Sequence, residues 1–245
     1  LWAQLTLKGY KNNNANHMNR TKPYPKRILA YVGVAAAIVF FIGLVVDNYS
    51  LRLIVKPVPV LCMALWVYLG ERNRFGTLIA IGLVFSACGD IFLELNDSTF
   101  LAGVLAFLLC QILYISAFLS RTRAPKVLYT VPFAVWGVIV FALLRGTLNA
   151  MTVPVGIYIA VICTMMWRAA AHMGTGVVAP FNEKAGAAGA VSFGLSDTLL
   201  ALNRWYVLAP LPLMRYLIIV LYWLGQLGIT LSTKIDKKRW HNEGE

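Results

Sequence analysis

Two aspartates, Asp90 and Asp197, lie inside runs of sequence that are otherwise apolar, and their surroundings match. Asp90-Ile91-Phe92-Leu93-Glu94-Leu95-Asn96 and Asp197-Thr198-Leu199-Leu200-Ala201-Leu202-Asn203 both read D-x-x-L-x-L-N. A charged side chain within hydrocarbon costs at least ~2.5–3.5 kcal/mol on insertion scales, so each is a functional candidate until a partner explains it. Glu94 follows Asp90 by one helical turn and shares its face. Lys56, Arg204 and Arg215 fall near the ends of neighbouring apolar runs, at the same expected depth. Two or three carboxylates beside two or three cations at one depth suit acid–base chemistry. The competing reading pairs Asp90 and Asp197 with Lys56 and Arg204 as helix fasteners, while Glu94, Arg204 and Arg215 snorkel to water. No counterpart of this cluster is expected at the other end of the runs.

Other polar residues give weaker signals. Gln111 and Tyr114 are three apart, Tyr222 and Gln226 four apart, so each pair shares a helix face and can line a cavity or bridge helices. Gly186, Gly189, Ala190 and Gly194 permit close helix approach. His17, His172 and His241 are not spaced for a metal, and neither H-E-x-x-H nor C-x-x-C occurs, so no metal site is expected. Ser196 has no histidine at its depth, and there is no G-x-S-x-G elbow or phosphate-binding glycine loop. What remains is carboxylate chemistry without a metal or organic cofactor.

The elements that must hold these residues are transmembrane helices. Of 245 residues 59% are hydrophobic and 13% charged, with a mean hydropathy of +0.69. The apolar residues form blocks of about 18–22, the length that crosses a bilayer core as α-helix. The expected fold is all-α: a polytopic bundle of about eight spans, near 28–46, 53–70, 76–95, 99–119, 127–144, 153–172, 185–203 and 213–232. This membrane domain, 28–232, lies between a polar, Asn-rich tail (1–27) and a basic tail (233–245). No apolar stretch precedes the first span, so no cleavable signal peptide is expected, and Met18 is a candidate start. Cys62, Cys88, Cys110 and Cys163 all fall inside spans, which suits packed thiols better than disulfides. The D-x-x-L-x-L-N repeat lies four spans apart, as in two parallel four-helix halves.

The net charge of +12 resides mainly in loops, where it sets orientation and does not suggest nucleic acid. With both termini cytoplasmic, Arg52, Lys56, Arg145, Arg204 and Arg215 are the only basic residues among 22 on the other face. That partition puts the acidic pair toward the outer leaflet.

Four stretches resemble the YhhN-type lysoplasmalogenase family, which includes transmembrane protein 86. They are Lys56-Pro57, Gly82 to Gly89-Asp90, Phe193 to Ser196-Asp197 with Ala201 and Arg204, and Tyr222-Trp223-Leu224-Gly225-Gln226 leading to Leu231-Ser232. Their order and spacing extend over about 30–232. One departure is that the family commonly has His before the Tyr of span four, where this chain has Gln111 three residues before Tyr114.

The resemblance implies hydrolysis of the vinyl ether bond of a lysoplasmalogen to a fatty aldehyde and a glycerophospho-base, with the lysophospholipid and bulk membrane lipids as partners. An enol ether reacts by protonation at carbon, and water captures the resulting oxocarbenium ion. That requires one carboxyl held protonated and one carboxylate, roles Asp90 and Asp197 would divide. Lys56, Arg204 or Arg215 would hold the phosphate, with Glu94, Gln111, Tyr114, Tyr222 and Gln226 lining the substrate site. The alternatives are a proton-coupled transporter of lipids or small molecules, or a bundle without turnover. Charges confined to one depth favour the enzyme over a path across the membrane. A bacterial inner membrane and the endoplasmic reticulum fit the charge bias equally.

Overall fold

The computed structural model describes residues 24–206 and 212–234; the terminal tails expected at 1–27 and 233–245, with His17, Met18 and His241, fall almost wholly outside them. All regular structure among the described residues is helical. Eight helical segments are long and apolar enough to cross a membrane: Lys26–Val45, Tyr49–Gly70, Arg74–Leu95, Asp97–Arg121, Val127–Leu144, Asn149–Ala171, Pro180–Trp205 and Leu213–Leu231. We refer to these as spans one to eight. The protein is an integral membrane protein of the expected all-α class.

Of the boundaries that differ from expectation, two bear on buried charges. Span two starts at Tyr49, where the Asn48 side chain accepts the Leu51 N–H, so Lys56 does not open the span. It lies within it, at the junction between Tyr49–Val55 and Val58–Gly70, where Pro57 has no N–H to give. Arg52, whose charge reads as loop sequence, is thereby drawn into the helix and buried. Span seven starts at Pro180, ahead of the expected 185, because Glu183 in its first turn is neutralised locally. Its carboxylate accepts the N–H groups of Gly174 and Gly176 and the Thr175 hydroxyl. Gly174 and Gly176 have φ of 72° and 69°, left-handed conformations that aim both N–H groups at one anion.

The packing repeats across the two halves. Span one packs on two as five packs on six, two on three as six on seven, and three on four as seven on eight. Between halves, four meets six and eight meets two. This is the contact pattern of two four-helix units related by a pseudo-twofold axis. Glycines set the closest seams. A Cβ on Gly189 would lie 2.6 Å from the Gly225 carbonyl oxygen and 2.7 Å from the Ile229 nitrogen. Backbone cannot yield as a side chain can, so Gly189→Val should destabilise the protein by about 1–3 kcal/mol or more. Thermal unfolding in detergent checks this, and an unchanged midpoint would refute it.

A different set of buried polar groups occupies the opposite end from the aspartates, bonded to backbone and not arranged as a second carboxylate–cation cluster among the described residues. Arg121 donates to the Ser232 and Thr233 carbonyls. Arg168 donates to the carbonyls of Ala124 and Thr122. These charges lock loops to helix ends. His172 is fully buried against Phe75 and Phe118, with both ring nitrogens unpartnered among the described residues. Burial, then the Arg121 charge, push its imidazole down from 6.5 to about 4. The unfolded chain therefore binds a proton that the folded chain refuses between those values. Stability should be level above pH 6.5 and fall as pH drops toward 4. His172→Phe should flatten that acid limb in unfolding measured across pH, and an unaltered slope would rule this out.

Candidate active site

Spans three, seven and eight converge at the end where spans three and seven finish. With spans one and two and the first half of span four they line a cavity of about 440 Å³. Lys56, Asp90, Glu94, Asp197, Arg204, Arg215 and Tyr222 all line it, as does Asn203. Seven of the ten residues singled out from sequence thus face one space. Gln111, Tyr114 and Gln226 stand behind it, hydrogen-bonded to groups that reach it or to their partners.

The carboxylates do not pair with the cations in the way the helix-fastening reading expects. Lys56 Nζ lies 3.0 Å from Glu94 Oε2, and Arg52 Nε lies 2.9 Å from Glu94 Oε1. Arg52 also bonds Asp47 at 2.7 Å. Arg204 reaches Asp97 at 3.0 Å and covers the Phe100 ring. The fastening ion pairs are thus built on Glu94 and Asp97, which leaves both aspartates to neutral donors. Arg215 lines the cavity with no carboxylate partner among the described residues.

Asp90 is 2% exposed and ends a chain of neutral hydrogen bonds. The Tyr114 hydroxyl donates to Gln226 Oε1 at 2.6 Å, and Gln226 Nε2 donates to Ser86 Oγ at 2.8 Å. Ser86 Oγ lies 2.8 Å from the Tyr222 hydroxyl, which donates to Asp90 Oδ2 at 2.6 Å. With the Tyr222 proton committed to Asp90, Ser86 is the donor to Tyr222. Each donor polarises the next toward the carboxylate.

Asp197 is partly buried and held from the other side. The Tyr158 hydroxyl donates to its Oδ2 at 2.5 Å, and Gln111 Nε2 donates to the same oxygen at 3.3 Å. Oδ1 has no partner among the described residues. Gln111 Oε1 is also buried and unpartnered. Ser196, beside Asp197, is spent on the Ile218 carbonyl at 2.8 Å, consistent with no nucleophilic role.

Sequence reasoning missed Ser86, Tyr158 and Arg52. Ser86 stands one turn before Asp90, so its shared face was readable. Tyr158 has no polar companion at helical spacing, and only the packing of span six on spans four and seven reveals it.

Residues 51–233, which hold every one of these groups except the Asp47 partner, match the YhhN family. The chain belongs to the YhhN family. It is 35% identical to the human lysoplasmalogenase TMEM86A over 189 residues, 73% of this chain and 76% of that protein. It is 31% identical to human lysoplasmalogenase TMEM86B over 220 residues, 88% and 90% of the two chains. The rat lysoplasmalogenase TMEM86B is likewise 31% identical over 212 residues, 86% and 85%. No solved structure matches this YhhN-family chain significantly.

Proposed function

We infer that this YhhN-family protein is a lysoplasmalogenase, a membrane-embedded hydrolase that cleaves the vinyl ether of lysoplasmalogens. The observation that carries the inference is one cavity lined by two carboxyl groups with neutral donors and by cations at its rim. Relatives named as lysoplasmalogenases over most of their length support it.

Asp90 and Asp197 divide the acid and base roles. The acid delivers a proton to the alkenyl carbon remote from oxygen, and the oxocarbenium ion forms between two carboxyl groups. The base takes a proton from water as it adds to that ion. The hemiacetal collapses to aldehyde and glycerophospho-base. Arg215, with no carboxylate partner among the described residues, and Arg204, paired only to the exposed Asp97, hold the phosphate, while the charge of Lys56 is matched by the more buried Glu94. Both termini lie in the cytoplasm and the cavity opens toward the outer leaflet, on the Lys/Arg bias of the connecting loops. Transport is disfavoured because, among the described residues, the buried charges at the opposite end are occupied with loop backbone.

The test is purified protein in detergent with lysoplasmalogen, reading aldehyde. Release above that from an alkyl-ether control is expected. No release would remove the proposed activity.

A further inference from the structure

A second, narrower cleft meets the cavity at Asp197. It opens between spans four, five, six and seven, and is lined almost wholly by apolar side chains, among them Val104, Val140, Val155 and Ile159. Its free volume is about 60 Å³, room for the first few chain atoms before the chain runs out among the spans. Five residues belong to both spaces: Leu93, Phe100, Phe107, Asp197 and Leu200. Asp197 is the one carboxyl group among them. Asp90 lines only the polar cavity.

A larger apolar groove of about 490 Å³ runs between spans one, two and eight, past Met63, Trp66 and Trp223. It shares no lining residue with the polar cavity. Phe40 and Trp223 stand edge to face between the two, ring centroids 5.4 Å apart. Of these two apolar spaces, the cleft is the one that shares lining residues with the cavity holding Arg204 and Arg215, and Asp197 stands at that junction.

We propose that the cleft between spans four to seven takes the hydrocarbon chain of the lysolipid, and that this makes Asp197 the acid and Asp90 the base. The inference rests on the lysoplasmalogenase reading and deepens it. In a vinyl ether the carbon that accepts the proton is on the chain side, and the carbon that accepts water is bonded to the ether oxygen. With the headgroup in the cavity and the chain in the cleft, the first carbon lies at the boundary where Asp197 stands. The second faces the cavity and Asp90.

Asp197 carries its proton on Oδ1, since Tyr158 and Gln111 both donate to Oδ2. The alkene π pair takes that proton, forming C–H and leaving an oxocarbenium ion and the Asp197 carboxylate. Water adds to the cation and gives a proton to Asp90, yielding the hemiacetal. Collapse breaks the bond to the glycerol oxygen, which gains the proton that the hemiacetal hydroxyl loses. A proton returning from Asp90 to Asp197 through the shared cavity resets the site. Net, one water is consumed.

The closing experiment uses the full-length protein and a non-hydrolysable alkyl-ether lysolipid carrying a diazirine near the start of its chain. Photolabel is expected on spans five and six around Val140, Val155 and Ile159. Label on the groove around Met63 and Trp66 overturns the proposal. Ile159→Trp and, as a second variant, Val104→Trp should raise KM for lysoplasmalogen roughly tenfold or more, with kcat little changed. Met63→Trp should leave KM within about twofold. The reverse order of effects also overturns it. For the role assignment, azide should restore consumption of lysoplasmalogen to Asp90→Ala, adding to the cation in place of water to give the azido ether, and should not restore Asp197→Ala. Rescue of Asp197→Ala alone overturns the assignment, and retained photolabelling in each variant certifies its fold. Binding of the alkyl-ether probe needs no hydrolysis. Labelled but inactive wild-type protein would thus refute the lysoplasmalogenase reading while leaving the chain site standing.

Discussion

Aldehyde release from lysoplasmalogen should fall by about 100-fold or more in Asp90→Asn and again in Asp197→Asn. Asparagine is nearly the same shape and keeps an oxygen to accept from Tyr222 or from Tyr158 and Gln111. Packing and the hydrogen-bond frame are thereby preserved, and what is removed is the ability to give or take a proton. Unfolding midpoints should accordingly move little while kcat collapses. The pair should also be non-additive, because a site lacking the acid has no cation for the base to hydrate. Near-wild-type rates in both single variants would reduce the aspartates to helix-packing groups. A loss of folding matching the loss of rate would do the same.

The second large effect falls on stability. Glu94 is the shared anion for Arg52 and Lys56, and all three side chains are mostly removed from solvent, at 14%, 8% and 14% exposure. Glu94→Gln would leave Lys56 with no carboxylate and Arg52 with only the exposed Asp47. Breaking a buried pair from one side costs about 3–5 kcal/mol, since the surviving charge keeps its desolvation penalty. Denaturation in mixed micelles should register a loss of that order. Combining Glu94→Gln with Lys56→Met should recover part of it, because the stranded ammonium is gone. If the double variant is less stable than the sum of the singles, the ion pair is not the source.

The eight spans were readable because hydrocarbon leaves few options: a run of about 20 apolar residues must be helical. The matched D-x-x-L-x-L-N segments placed both aspartates at one end of the bundle, where the structure also has them. The partners were not readable. Lys56 and Arg204 stand at the right depth for the aspartates, yet helix rotation turns them to Glu94 and Asp97. Rotation within a bundle is set by knobs and glycine seams such as Gly189 on Gly225, which single-sequence periodicity cannot resolve when helices are apolar all round. Arg52 and Glu183 escaped notice because charge near a span end looks like loop sequence. Gln111 stood out as the departure from the family pattern; its buried amide donates to Asp197 from behind the cavity and does not line it as expected.

The row of donors leading to Asp90 has an amide in its middle. Hydroxyls can pass a proton along by accepting one and releasing another, but Gln226 accepts through Oε1 and donates through Nε2. A proton arriving at its oxygen has no way out through its nitrogen without an imidic tautomer. The row from Tyr114 to Asp90 therefore transmits polarisation and blocks proton current: it is an electrostatic spring and not a wire. The cavity that Asp90 lines offers protons a route that this row does not. Reversing the end of the row, so that Tyr222 accepts from a protonated Asp90, would turn the Tyr222 and Ser86 hydroxyls and leave Ser86 accepting from both Tyr222 and Gln226. Amide orientation therefore sets the direction in which the row points, from Tyr114 toward Asp90.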